Sequence, residues 1–140
     1  MTNAQAVTTQ HLTTTMTAGR KRLWTGRILI GFSGAFCIFD ACMKMIKLPA
    51  VVQGAMQLGY PESTIVGIGI ALFASTLLYL IPRTSILGAV LLTGYLGGAV
   101  ATNVRAEMGA FNIVAPVIVA CIAWGGLLLR DKRLEQLLLK

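Results

Sequence analysis

No histidine falls within an apolar stretch of this chain; its one histidine, His11, lies in a polar N-terminal segment. Axial histidine ligation of haem is therefore excluded from the apolar part, and a Met or Cys pair would be a poor substitute. Cysteine is scarce: Cys37, Cys42 and Cys121 form no CxxC pair and sit in apolar surroundings. They read as small buried hydrophobes rather than redox or metal ligands. No His/Cys/carboxylate cluster has metal-ligand spacing, and no GxSxG, Walker loop or dinucleotide fingerprint occurs. No nucleophile–base pair is visible. Independent catalytic activity, a metal and a covalently bound cofactor are accordingly not expected.

Charge is also in short supply. Charged residues make up 12 % of the 140 and hydrophobic ones 56 %, where a soluble domain is about a quarter charged. This leaves room for one compact bundle and for no extramembrane catalytic domain. The net charge of +7 does not point to nucleic acid, because the basic residues form no patch with interleaved aromatics.

What the chain has is apolar length. Three uncharged windows, 63–81, 84–104 and 108–129, are broken only by Pro82-Arg83 and Arg105-Ala106-Glu107. Each is long enough to cross a hydrocarbon core of about 30 Å as a helix rising about 1.5 Å per residue. A fourth stretch, 23–46, precedes them and alone carries charges inside its span, Asp40 and Lys44. The expectation is an all-α integral membrane four-helix bundle with spans at about 23–46, 63–81, 84–104 and 110–129, forming a single domain over 20–140. Residues 1–19, rich in Thr, Gln and Ala with no apolar period, are expected as a disordered polar N-terminal tail. The run after Arg20-Lys21-Arg22 is too long for a signal peptide and has no small-residue cleavage site before Asp40.

The basic residues flank the windows unevenly. One side collects Arg20, Lys21, Arg22, Arg27, Arg83, Arg130, Lys132, Arg133 and Lys140; the other has only Lys44, Lys47 and Arg105. By the positive-inside rule both termini are expected in the cytoplasm, with Trp24 and Trp124 near that interface. The expected location is a cell membrane, the cytoplasmic membrane of a bacterium, crossed four times, with the lipid bilayer as the first partner.

Between the first two spans, Val51, Val52, Ala55, Met56 and Leu58 predict a short interfacial helix after Pro49, ended by Gly59. Ser63 or Thr64 is an N-cap candidate for the second span. Pro82 ends that span, and the short turn after it makes the second and third spans antiparallel neighbours. Pro116 implies a late start or a kink in the fourth.

Lipid tails provide no hydrophobic force between helices, so small residues mark contacts. On the second span Thr64, Gly67, Ala71, Ser75 and Tyr79 are expected to share an inward face. On the third, Gly94 and Gly98 stand at GxxxG spacing and are expected to pack closely. At 100° per residue, Gly26, Ser33, Cys37, Asp40 and Lys44 form one stripe on the first span. Gly88, Tyr95, Gly98, Thr102 and Arg105 form another on the third, with Asn103 beside it. Both spans run outward, so Asp40, Lys44, Thr102, Asn103 and Arg105 reach one depth, where the loop carrying Tyr60 also closes. These residues, with Tyr95, are the candidate ligand or ion-pair site: a polar pocket on the outer side. Asp40 is read as an ion pair with Lys44 or Arg105, as a ligand or proton site, or as a pair solvated from outside. A pair with Arg105 would fix the first span against the third.

Several segments resemble the DoxX-like family of small four-helix membrane proteins. They are Asp40-Ala-Cys-Met-Lys44, Leu58-Gly-Tyr-Pro-Glu62, Leu78-Tyr-Leu-Ile-Pro-Arg83, the run from Leu87 to Arg105, and Trp124-Gly-Gly-Leu-Leu-Leu-Arg-Asp131. The resemblance covers about residues 22–138, and the run from Leu87 to Arg105 is its most specific part. Such proteins often read Ala-Thr-His-Val-Arg there; this chain has Asn103 in the histidine's place. The family takes its name from a subunit associated with quinone-linked sulfur oxidation. The resemblance thus implies an accessory membrane subunit near quinone or redox chemistry, with a quinone as the cofactor to test and a membrane or redox subunit, or a second copy of the chain, as partner. Two other readings remain: a purely structural subunit, and a small proton-coupled transporter, which an acid in the first of four short spans also describes.

Overall fold

The computed structural model describes residues 3–131 and 134, with side chains described from residue 19 onward. The element order is α1 (Asn3–Met45), α2 (Pro49–Gln57), α3 (Glu62–Leu80), α4 (Ser85–Arg105) and α5 (Ala110–Arg130). Four segments are long and apolar enough to cross a membrane: Gly19–Met45, Glu62–Leu80, Ser85–Arg105 and Ala110–Arg130. They form an antiparallel bundle in which α1 and α4 each pack against α3 and α5 and stand diagonally opposite one another. The short helix α2 lies against α3 and α1 at one end.

The bundle is turned inside out relative to a soluble one. Its outer surface carries Ile28, Phe32, Phe39 and Phe111, the last 82 % exposed. The interior holds hydroxyls: Ser33, Ser75, Thr76 and Ser85 are buried. Within hydrocarbon each of these must find an acceptor. Ser75 and Thr76 do so by donating to the carbonyls one turn back, Ala71 and Leu72, both at 2.7 Å. Small residues bring the backbones together. A Cβ built on Gly26 of α1 would stand 3.0 Å from the carbonyl oxygen of Gly126 on α5. One on Gly69 of α3 would stand 3.1 Å from the Ala41 carbonyl of α1, and one on Gly88 of α4 would overlap the backbone of Tyr79 on α3.

At the α2 end, three helices stop in the same way. The N–H of Leu48 bonds the Met43 carbonyl, that of Tyr60 bonds Ala55, and that of Met108 bonds Asn103. Each closure turns through a left-handed residue: Lys47, Gly59 and Glu107. This is the 6→1 helix-terminating motif, in which glycine is the usual occupant.

Several expectations are corrected. The tail expected to be disordered is helical from Asn3 onward. Extending a helix already nucleated by the first span avoids the nucleation cost that an isolated polar segment would bear. The second span begins at Glu62 with Pro61 as N-cap; Thr64 does not cap it but donates to the Pro61 carbonyl at 2.8 Å. The inward face of α3 is Ile65, Gly69, Leu72, Ser75, Thr76 and Tyr79; Thr64, Gly67 and Ala71 face outward. Nothing lies within 4 Å of a Cβ built on Gly94 or Gly98, so the GxxxG pair makes no contact inside the bundle. The fourth span starts at Ala110, where it was expected, and takes Pro116 inside, so of the two alternatives for that proline the late start falls.

Candidate functional site

The seven sequence candidates separate into two groups. On α1, the Lys44 ammonium pairs with the Asp40 carboxylate one turn earlier. On the facing side, Arg105 at the end of α4 donates through Nη2 to the Leu58 carbonyl at 3.2 Å. Of the two cations open to Asp40, the structure pairs it with Lys44 and turns Arg105 to the Leu58 carbonyl. The reason is lateral order: α1 and α4 are diagonal, and acid followed by base four residues later is already the favourable order within one helix.

Tyr60 and Thr102 are brought together, oxygen to oxygen at 3.0 Å. Thr102 gives its proton to the Gly98 carbonyl at 2.8 Å, so Tyr60 is the donor. Together with the Arg105 bond, this fastens the segment after α2 onto the end of α4. Asn103 bonds back to the Ala99 carbonyl at 2.8 Å. Tyr95 packs against the core cluster. Beside this end Lys47 pairs with Glu62 at 3.1 Å, across exposed side chains.

Two features were missed by reading the sequence. The first is a groove of about 280 Å³ along the seam of α1 and α5. Phe32, Ser33 and Phe36 line it from α1; Phe111, Val114, Ala115, Ile118, Val119 and Ile122 line it from α5. None of the seven candidates does. The seam is closed by Gly26 and Gly126 near one end and opens toward the α2 end. Asp40 lies four residues past Phe36, about 6 Å further along α1. On α5, Pro116 has no N–H, so the Asn112 carbonyl at the head of the groove lacks its usual helical donor. The signal available in the sequence was the spacing Phe32–Phe36 and Phe111–Val114–Ala115–Ile118, one face on each helix.

The second is a buried hydroxyl junction behind that groove. Tyr79 is 0 % exposed. Its Oη donates to the Ala123 carbonyl at 3.0 Å and meets Ser33 Oγ at 3.2 Å. The tyrosine proton goes to Ala123, so Ser33 completes the junction by donating to Tyr79. The carbonyls of Leu29 and Ile30, at 2.9 and 3.2 Å, are its alternative acceptors. One side chain of α3 thus ties α1 to α5 at the wall of the groove.

A model of the DoxX-like family matches residues 28–126. The chain belongs to the DoxX-like family. The match takes in the Asp40–Lys44 pair, the Tyr60–Thr102 contact, the groove and the Tyr79 junction. No curated protein and no solved structure matches the chain. With four spanning helices, this member of the family is a small multi-pass membrane protein. No group of three or more metal-ligating side chains occurs among the described residues.

The charge pair yields a direct expectation. The Asp40 side chain is 38 % exposed and that of Lys44 19 %, so breaking the pair should cost less than the about 3–5 kcal/mol typical of a fully buried one. Asp40→Asn and Lys44→Gln should each lower stability in detergent by about 1–2 kcal/mol on that scale. The double variant should recover most of the loss, and Arg105→Gln should rescue neither. Coupling of Asp40 to Arg105 in a double-mutant cycle would contradict the helix-local pair.

Proposed function

We propose that this chain is an accessory membrane subunit that holds one quinone-like or lipid-like amphiphile. Its apolar tail would occupy the α1–α5 groove, and its head would lie toward Asp40 and Lys44. The observation that carries this reading is the groove itself. It is lined by aromatic and aliphatic side chains, its volume is near the lower end of the range for small-molecule sites, and a polar group follows it by one turn on α1. Family membership supports a role beside quinone or redox chemistry, since the family name derives from such a setting. In native mass spectrometry after mild detergent extraction, the protein should carry about one amphiphile per chain. Ala115→Trp, which fills the groove, should abolish that occupancy while the unfolding midpoint stays near the parent's. Undiminished occupancy in this variant would sink the proposal.

One observation favours a second reading, a purely structural subunit. Gly94, Gly97 and Gly98 leave open space on the outer face of α4, the kind of surface on which another membrane helix approaches closely. A chain that copurifies with a second subunit or a second copy, and carries no amphiphile, would decide for it. The transporter reading is weakened because Asp40 already has a cationic partner, whereas a proton-coupled cation site needs an acid left free to titrate.

We infer further that both termini are cytoplasmic, from the excess of basic residues at the end where α1 enters and α5 leaves. Reporter fusions after residues 52 and 107 should read outside, and fusions after 83 and 140 inside. The opposite pattern would reverse the orientation of the groove.

A further inference from the structure

Among the described residues, one hydroxyl turned into the bundle has no partner in the protein. Ser75 and Thr76 donate to carbonyls of α3, and Ser33 and Tyr79 meet at their junction. Ser85 accepts from Arg130 and donates to the Pro82 carbonyl. Tyr95 of α4 is turned in as well, packed against the core cluster, yet its Oη makes no hydrogen bond to any described residue. The oxygen is not sealed in either, since it keeps accessible surface. A free hydroxyl inside a span is costly, because hydrocarbon offers it no acceptor. Phenylalanine would fill the same space without that cost, so the hydroxyl calls for an account.

Its surroundings give one. The ionisable groups within electrostatic range of Tyr95 are Asp40 and Cys37 of α1 and Tyr60 of the segment after α2. Tyr95 therefore reaches from α4 across the bundle toward the diagonal helix. Two of these three are already engaged: Cys37 is hydrogen-bonded to the Thr76 hydroxyl, and Tyr60 donates to Thr102. Asp40 is engaged by Lys44 of its own helix, and among the described residues no other donor reaches its carboxylate. A carboxylate offers about four lone-pair sites, so acceptor capacity is left on a side chain that is 38 % exposed. The groove leads to this place. Counting along α1 and α5 from the Gly26–Gly126 contact puts Asp40 level with the stretch from Asn112 to Ala115. Ala115 is the smallest α5 side chain in the groove, so the seam beside Asp40 is bounded there by a methyl group.

Resting on the groove reading above, we propose that Tyr95 and Asp40 together select an amphiphile whose head is a hydroxyl group, phenolic or alcoholic. One hydroxyl oxygen serves both side chains: it donates its proton to the Asp40 carboxylate and accepts one from Tyr95 Oη. A carbonyl or ether oxygen has no proton to give and sets its lone pairs against the carboxylate. For a quinone-like head the selected form is the reduced, dihydroxy one. Tyr95 is thus a positioning and specificity residue for the groove, supplied by α4, a helix that does not line it.

The test compares three probes on the purified full chain after exhaustive detergent exchange: para-decylphenol, its methyl ether and decylbenzene. Each is titrated at one fixed detergent concentration and read by native mass spectrometry. The phenol should bind about tenfold more tightly than the other two, the value of a hydrogen bond to a charged group. Tyr95→Phe should weaken the phenol about fivefold, the value of one neutral hydrogen bond, and leave decylbenzene unchanged. In the ligand-free protein the same variant should unfold at the parent's midpoint or above it, because no bond within the bundle is lost. Equal binding of phenol and ether by the parent, or unaltered phenol binding in Tyr95→Phe, would overturn the selection. So would a lowered midpoint of ligand-free Tyr95→Phe, which would place the hydroxyl in a bond within the bundle. A parent that binds all three probes equally keeps the groove and loses only the selection. A parent that binds none of them loses the groove reading itself, and this proposal with it.

Discussion

Replacing Gly88 with alanine should unfold or severely loosen the bundle, while the same change at Gly94 should be harmless. Both glycines lie on α4, and both belong to the apolar run that crosses the membrane. A Cβ on Gly88 would overlap the main chain of Tyr79. Main chain cannot rotate away as a side chain can, so α3 and α4 must separate along their whole contact. Overpacking a core commonly costs about 1–3 kcal/mol, and a collision with backbone on both sides belongs at or above the top of that range. Gly94 meets nothing within 4 Å, and alanine is the better helix former. Reversible unfolding in detergent by sodium dodecyl sulfate titration would measure both. A Gly88→Ala variant as stable as the parent would contradict the packing of α3 against α4. A Gly94→Ala variant that remains stable but disperses an oligomer would show that the open face of α4 is covered by another helix.

Tyr79 should show the next largest effect, and two substitutions divide it. Tyr79→Ala removes a fully buried ring from the meeting point of α1, α3 and α5, and large-to-small changes of aromatic residues cost about 3–5 kcal/mol. Tyr79→Phe keeps the ring and removes only the bonds to Ala123 and Ser33. Hydrogen bonds between membrane helices average about 0.6 kcal/mol and reach about 1.7. Ser33 can fall back on the Leu29 or Ile30 carbonyl, so the loss should be near the lower figure. Because Ser33 also lines the groove, Tyr79→Phe additionally tests the amphiphile reading. It should change occupancy of the groove more than Thr76→Val, which alters a buried hydroxyl that donates to the Leu72 carbonyl and does not line the groove. A penalty for Tyr79→Phe as large as that for Tyr79→Ala would mean that the hydroxyl junction, and not the ring, holds the three helices.

The candidate site was legible in the sequence only in part. Asp40, Lys44, Tyr60, Thr102 and Arg105 stand out because polar groups are expensive in or beside hydrocarbon, and all five lie at the end expected for them. Their pairing was not legible. Asp40 could reach a partner on its own helix or across the bundle, and 100° per residue gives the direction of a side chain relative to its own helix alone. The groove was marked only by helical spacing, Phe32–Phe36 on one span and Val114–Ile118 on another, and nothing in one dimension says that those two faces meet.

The sequence by itself determined that the chain crosses a membrane four times, where each span begins and ends to within a few residues, and that a short helix follows Pro49. These are one-dimensional properties. A window of uncharged residues either reaches across about 30 Å or does not, and Pro49, Gly59 and Pro82 act on the backbone nearest to them. The stripe of Gly26, Ser33 and Cys37 on α1 was legible in the sequence, but only the tertiary structure decided which face of α3 and which glycines of α4 turn inward, since Gly67, Gly94 and Gly98 point out while Gly69 and Gly88 carry contacts. The physical reason is that spans apolar on every side carry no hydrophobic contrast between lipid and protein. Their rotation and neighbours are settled by how closely backbones can approach, and that depends on all the helices at once.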